Sequence, residues 1–251
     1  MLLRISPTRR SGFSLVELLV VMGIIVLMAA LVIPAMNTIK GGGDITKTAS
    51  DLSDLIQQAR AYAMGNNTYV YLGLKEVDQM AGGYTDGKGQ IIAAIIASKT
   101  GQRPFATPGS ATPTDLSNST NDITALSRLQ RFDNTHLAGG MGELNNAGGM
   151  TNVATAPYAA DLGATDAATT FEWPVGGSGT SSTKFTKVIE FDPQGVARLQ
   201  SNGVTSLDQI QGWIEIPLQP SKGSAGVAAN EKNAAAVQVD GMTGNVQIFR
   251  P

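Results

Sequence analysis

The sequence predicts an α+β protein in which a long N-terminal helix packs on an antiparallel β-sheet domain. One observation is an apolar helical segment near the N-terminus that continues into an amphipathic helical pattern, up to about Asn66. A second is a series of short β-rich runs bounded by Gly, Asn, Asp and Pro. A third is residues 99–184, mostly Ser, Thr, Gly, Ala, Asn and Pro, which predict a loop-rich insertion.

The first half of the helix is predicted to cross a membrane. Residues 1–12 carry Arg4, Arg9 and Arg10 and no acid, whereas residues 18–39 carry no charge at all. An uncharged helix of 22 residues is about 33 Å long, close to the roughly 30 Å of a bilayer core. The basic leader predicts a cytoplasmic N-terminus, a transmembrane helix at 13–40 and an exported C-terminal part. The less favoured alternatives are a signal peptide cut near Ala29-Ala30 and a plain signal-anchor helix.

Glu17 is the one charge between Phe13 and Ile39. A carboxylate next to hydrocarbon is costly, so it usually has a partner and a purpose. The simpler interpretation is that Glu17 favours the helix N-terminus through the helix dipole, which contributes about 0.3–1 kcal/mol. The favoured interpretation is that Glu17 pairs with a cationic group.

The second half of the helix is predicted to pack on the globular domain, residues 44–251. Asp44 is a candidate N-cap, and Gly65-Asn66 is a candidate stop. The glycines at 41–43 predict a hinge, and Pro34 predicts an interruption of the helix, because proline removes a helical hydrogen bond. One apolar stripe recurs at spacings of three and four: Ile45, Ala49, Leu52, Ile56, Ala59 and Ala63.

Strands are predicted for the rest of the domain. They are Thr68–Leu74, Gly89–Ser98, two strands around Asp192–Gly195, Gly212–Leu218 and a terminal hairpin that turns at Gly241–Gly244. Within the insertion, Asp122–Phe132 is predicted to be a short helix, and Gly176–Gly179 is interpreted as a flexible loop.

The residues that most enzymes need are scarce, so the sequence predicts no enzyme, no cofactor and no metal site. The chain has no cysteine, and His136 is its one histidine, which leaves no His-rich zinc site and no Ser-His-Asp triad. Asp44, Asp51 and Asp54 are interpreted as a solvated helix face, and calcium at Glu231 and Asp240 is less favoured because no EF-hand spacing is present. The net charge of −2, with only Lys232 and Arg250 as basic residues after Gly223, argues against nucleic-acid binding.

The segment "SGFSLVELLVVMGIIVLMAALVIPAM" resembles the prepilin signal of type IV pilins and type II secretion pseudopilins. The resemblance implies that a prepilin peptidase cuts between Gly12 and Phe13 and then methylates the amino group of Phe13. It also implies that Glu17 is the assembly acid of the family, and that Pro34 is the proline that interrupts its first helix. The expected fold is then the pilin fold, with partners in the inner membrane and among other pilins.

Three further pieces resemble the H-type (GspH/FimT-like) minor pseudopilins. They are Ala59-Arg60 in a helix that leads into the first strand, Phe191 with Gly195, and Thr243-Gly244 in the final hairpin. The insertion at 99–184 departs from that pattern. The resemblance implies a structural minor subunit of a pseudopilus or pilus, with a periplasmic globular domain and a function in type II protein secretion. The alternative is a minor type IV pilin that binds DNA or another ligand for uptake or adhesion.

Overall fold

The computed structural model describes residues 14–81, 83–104, 114–116, 122–139, 159–163, 169–176, 182–199, 210–223 and 233–250. For residues 29–44 it describes the backbone alone. The chain divides into two units, Met1–Lys40 and Gly41–Pro251.

The helix α1 runs from Leu15 to Asn66. The predicted interruption at Pro34 and the predicted glycine hinge at 41–43 lie among residues 29–44, whose side chains are outside the described part of the chain, and both stay predictions. Within the part of the chain that the structure describes, no helix meets the length and hydropathy expected of a membrane span.

The C-terminal end of α1 is closed by asparagines. The Asn66 side chain donates a hydrogen bond to the Tyr62 carbonyl at 3.1 Å, and Thr68 N–H donates to the Ala63 carbonyl at 3.0 Å. Asn67 takes a positive φ of 49°, a conformation that asparagine tolerates better than most residues. The chain therefore leaves the helix in a defined direction and enters the first strand at Val70.

The strands that the structure describes are, in chain order, β1 (Val70–Asp78), β2 (Gly89–Ser98), β3 (Thr114–Asp115), β4 (Ile123–Ala125), β5 (Gln130–Asp133), β6 (Thr135–Leu137), β7 (Ala159–Asp161), β8 (Thr169–Trp173), β9 (Thr183–Phe185), β10 (Lys187–Phe191), β11 (Ala197–Leu199), β12 (Trp213–Pro220), β13 (Ala235–Asp240) and β14 (Val246–Phe249).

These strands form three sheets. The first has the order β11-β10-β1-β2-β4, with β5 also paired to β2, and all its pairs are antiparallel. The second has the order β14-β13-β12-β6, with β7 parallel to β12. The third is β3-β8-β9. The sheets, which are mostly antiparallel, and the one α-helix among the described residues confirm the predicted α+β class.

The predicted helix stripe and the predicted strands agree with the structure. All six stripe residues are buried and belong to the same core cluster as the strands. The predicted strand Gly89–Ser98 is β2, and the terminal hairpin is β13 and β14. These elements have local sequence signals, namely helical periodicity and apolar runs between turn residues.

The predicted helix at Asp122–Phe132 is wrong, because this segment contains β4 and the start of β5. Both strands pair with β2, one near each end of that long strand. Pairing also buries Ile123 and Phe132, so tertiary contacts override a weak local helical preference.

The described parts of the predicted insertion at 99–184 include the short strands β3 to β8 and the start of β9. Phe171 and Phe185 are fully buried, and their rings stack with centroids 4.9 Å apart. They lie directly on Gly73 of β1, where a Cβ atom would be 2.7 Å from Phe171 Cε1 and 2.8 Å from Phe185 Cγ. Phe171 of the insertion and Phe185, which directly follows the insertion, therefore pack against the first sheet at Gly73.

Candidate assembly site

The N-terminus of α1 is capped by Ser14, not by the carboxylate of Glu17. The Ser14 hydroxyl oxygen accepts a hydrogen bond from Glu17 N–H at 3.2 Å, and the Ser14 carbonyl accepts one from Leu18 N–H at 3.1 Å. A serine at this position satisfies one of the free N–H groups of the first helical turn. Glu17 is exposed, and its carboxylate makes no hydrogen bond to any residue that the structure describes.

The first turns of α1 expose apolar side chains on every side of the helix. The exposed fraction runs from 79% for Leu15 to 45% for Val21. A helix that is apolar all round is normally found inside a protein core or a membrane. The exposed set is Leu15, Val16, Leu18, Leu19, Val20, Val21, Met22, Ile24, Ile25, Val26, Leu27 and Met28. The composition of this segment is therefore one that favours an apolar environment.

Gly12 and Phe13, the predicted cleavage and methylation residues, lie outside the described residues. The side chain of Pro34 lies outside them as well. Cleavage after Gly12, methylation of Phe13 and the special role of Pro34 therefore remain predictions that the structure does not test.

The globular unit brings the three motif pieces that resemble H-type pseudopilins together at Arg60. Arg60 Nη1 donates a hydrogen bond to Asn245 Oδ1 at 3.1 Å. Gly195 and Gly244 both have positive φ, 83° and 66°. A Cβ atom at Gly244 would lie 2.7 Å from Arg60 Cδ, and one at Gly195 would lie 2.7 Å from Met64 Sδ. The helix, the β10–β11 turn and the β13–β14 turn thus meet at one arginine. We name Arg60, Gly195, Gly244 and Asn245 the Arg60 junction.

Asp192 shapes the β10–β11 turn at this junction. Its Oδ1 accepts hydrogen bonds from the N–H groups of Gln194 and Val196, at 2.9 and 3.0 Å. Its Oδ2 accepts a 2.8 Å bond from Arg198 Nη2. An aspartate that binds its own turn in this way fixes the loop geometry without any ligand.

A buried ion pair that the sequence did not predict links the insertion to the first sheet. Arg103 Nε donates to Glu190 Oε1 at 3.0 Å, and the guanidinium lies 5.2 Å from the centroid of the Tyr69 ring. Burial raises the pKa of Glu190 above its ordinary value, while Arg103 opposes that rise. Burial and the adjacent Glu190 charge raise the pKa of Tyr71 well above its ordinary value. Arg103 stands in a polar run, Thr100 to Arg103, that gives no sign of a buried partner.

His136 also has a structural contact. Its Nδ1 lies 2.7 Å from Glu76 Oε1, which joins β6 of the second sheet to β1 of the first. Among the described residues no group of three His, Cys, Asp or Glu side chains is placed to hold a metal ion. Glu231 lies outside those residues, and Asp240 Oδ1 accepts hydrogen bonds from the N–H groups of Met242 and Thr243.

Comparison with known proteins gives one match. Residues 7–33 match the model of the prokaryotic N-terminal methylation motif. No curated protein and no solved structure shows significant similarity to the chain. The matched residues include Gly12, Phe13 and Glu17. The chain thus carries the prepilin-type signal of the type IV pilin and pseudopilin class, which implies processing by prepilin peptidase and assembly with other pilins in a membrane-anchored filament.

Proposed function

We propose that the protein is a minor structural subunit of a type II secretion pseudopilus, most similar to the H-type minor pseudopilins. Residues 13–40 anchor it in the inner membrane, and residues 44–251 form its periplasmic domain. The observation that carries the proposal is an N-terminal helix whose apolar side chains are exposed on all sides and whose first turn holds one free carboxylate.

The exposed apolar surface supports a function in a membrane and then in a filament. Burial of one Val, Leu, Ile or Met side chain contributes about 1.5–3 kcal/mol, so this helix is strongly driven out of water. A bilayer supplies an apolar environment before assembly, and the helices of neighbouring subunits supply one afterwards. Neither environment requires a pocket or a catalytic group in this chain.

Glu17 supports assembly because its charge has no partner within the described residues. Cleavage after Gly12 would create an α-amino group at Phe13, which is largely cationic at neutral pH. Opposite unit charges about 4 Å apart interact by about 4 kcal/mol at an effective dielectric constant of about 20, before desolvation is subtracted. Since Ser14 already caps the helix, the Glu17 carboxylate is available to pair with the amine of a neighbouring subunit and so to set the register of the two helices.

The test compares wild type, Glu17→Leu and Glu17→Asp in cells that assemble the filament. Glu17→Leu should insert in the membrane as well as wild type, because a charge is removed from the edge of the bilayer. Its recovery in sheared or crosslinked filaments should fall about tenfold, which corresponds to the loss of roughly 1.4 kcal/mol. Glu17→Asp should be intermediate, since the charge remains but its reach is one methylene shorter.

The matched control is Asp54→Leu, which removes an exposed acid from the same helix within the globular unit. It should be recovered in filaments like wild type. The mass of the mature N-terminus, measured in the same samples, should correspond to N-methyl-phenylalanine at residue 13. Equal filament recovery of Glu17→Leu and wild type would reject the assembly function of Glu17, and a mature N-terminus at residue 31 would reject the pseudopilin interpretation.

A further inference from the structure

The edge strands β11 and β14 differ in whether other groups form hydrogen bonds with their outer backbone. At the edge of the first sheet, the side-chain amide of Gln211 binds the backbone of β11. Leu199 N–H donates to Gln211 Oε1 at 3.0 Å, and Gln211 Nε2 donates to the Leu199 carbonyl at 2.6 Å. Ala197 N–H donates to the Gly241 carbonyl at 2.8 Å. The amide thus occupies the place of a neighbouring strand and closes this edge.

Strand β14, at the edge of the second sheet, has no such cover among the described residues. Asp240 N–H donates to the Asn245 carbonyl, and the register pairs Gln238 with Gln247 and Val237 with Ile248. Hydrogen-bonded and non-bonded pairs alternate along an antiparallel ladder. Gln247 therefore directs its N–H and carbonyl toward β13, whereas Val246 and Ile248 direct theirs toward the outer edge.

The side chains of β14 leave this edge accessible. Gln247 is exposed, Ile248 is 42% exposed, and no charged residue lies between Val246 and Phe249. Exposed edge strands are commonly protected by lysine, proline or a bulge within the strand, and β14 has none of these. The Arg60 junction holds the start of the strand in place, because Asn245 is bound to the helix directly before Val246. The edge is therefore preformed, which lowers the entropy cost of binding.

We propose that β14 accepts an extended, uncharged segment of a neighbouring subunit, which adds to the second sheet as a further strand. The proposal rests on the proposed function in a filament. A four-residue edge offers far less than the 1,200–2,000 Å² of a typical stable interface, so it does not hold two molecules together in dilute solution. In a filament the helices already hold the subunits side by side. The effective concentration of one subunit next to another is then high, so pairing along a strand of only four residues is sufficient.

The first experiment uses two adjacent proline substitutions in the full-length chain. Ile248→Pro removes an N–H that faces outward and leaves the β13 ladder intact, whereas Gln247→Pro removes an N–H that faces β13. Ile248→Pro should keep the membrane insertion of wild type and lower recovery in filaments about fivefold, the effect of one backbone hydrogen bond. Gln247→Pro should lower the melting temperature further than Ile248→Pro. Recovery of folded Ile248→Pro at the wild-type level would overturn the proposal.

The second experiment does not depend on how proline affects folding. The chain has no cysteine, so Ile248→Cys and the control Met80→Cys, at a position 80% exposed in wild type, each introduce one thiol. A short cysteine–amine crosslinker should join Ile248→Cys to a neighbouring subunit in filaments several times more efficiently than Met80→Cys. Equal yields for the two variants would overturn the proposal. An undiminished Ile248→Cys yield in dilute detergent would do so as well, because pairing would then not need the filament. Absence of wild-type protein from filaments would instead reject the proposed function.

Discussion

The two halves of α1 differ in the exposure of their apolar side chains. Between Leu15 and Met28 every large apolar side chain is exposed, on all sides of the helix. Between Ile45 and Ala63 six apolar residues form one stripe, and all six are buried. The first half exposes its apolar side chains, whereas the second half buries its apolar stripe in the core of the globular unit.

This difference predicts that the second half of α1 contributes to the stability of the domain and the first half to assembly. Most of the stability of a helix in a protein comes from the packing of its apolar face. The second half obtains that packing from the strands of its own unit, so substitutions there should change the free energy of unfolding. Under the proposed function the first half obtains it from lipid or from other subunits, so substitutions there should change insertion and assembly and leave domain stability unaltered.

The largest expected effect comes from Leu52→Asp, in the buried stripe. Leu52 is 1% exposed, and the substitution would both open a cavity and bury an unpaired carboxylate. The free energy of unfolding should fall by at least about 4 kcal/mol, which is enough to unfold a domain of ordinary stability. Thermal unfolding of the detergent-solubilised chain, followed by circular dichroism, measures this loss.

Two controls make this test specific. Gln58→Asp introduces the same charge at an exposed position of the same helix and should leave the melting temperature within a few degrees of wild type. Leu19→Ala, in the first half, should not change it at all, because Leu19 is 67% exposed. An unchanged melting temperature for Leu52→Asp would show that the helix is not part of the core.

A second prediction extends the comparison to the insertion. Phe171 is fully buried on Gly73, so Phe171→Ala should lower the free energy of unfolding by about 3–5 kcal/mol. Met80→Ala, at a position 80% exposed, is the control and should have little effect. Urea unfolding monitored by tryptophan fluorescence gives both values. If Phe171→Ala is as stable as the control, the insertion does not belong to the core of the domain.

The elements that could be predicted from the sequence have contiguous signals. The stripe from Ile45 to Ala63 repeats every three or four residues, and β2 is an apolar run between turn residues. The prepilin-type signal is also one continuous segment, and the methylation-motif match at residues 7–33 covers all of it except its last three residues. Such patterns can be read because each depends on neighbours a few positions apart.

The contacts that could not be predicted join residues far apart in the chain. Arg103 and Glu190 are 87 positions apart, and Arg60 and Asn245 are 185 apart. The motif pieces that meet at Arg60 are each visible in the sequence, but nothing in the sequence indicates that they meet. Similarly, the strands β4 and β5 depend on the two ends of β2, which the local composition of residues 122–132 does not reveal.

The smallest expected effect concerns the buried acid Glu190, which contrasts with the exposed acid Glu17. Burial raises the folded-state pKa of Glu190 above 4.5, the ordinary value for a glutamate. Below that ordinary value the carboxyl is protonated in both the folded and the unfolded chain, and its contribution to stability is complete. As the pH rises through the raised pKa, the folded chain loses a proton that the unfolded chain has already lost at lower pH. The contribution of Glu190 to stability is then lost.

Glu190→Gln is neutral at every pH and isolates this effect. The melting temperature of wild type, relative to Glu190→Gln, should therefore fall as the pH rises from about 4 to about 8. Asp54→Asn, which neutralises an exposed acid, is the matched control and should show a weaker dependence on pH. A difference between wild type and Glu190→Gln that does not change with pH would mean that Arg103 offsets burial completely. A wild-type melting temperature that rises relative to that of Glu190→Gln as the pH rises would mean that Arg103 outweighs burial and lowers the pKa of Glu190. The ion pair would then stabilise the sheet at neutral pH.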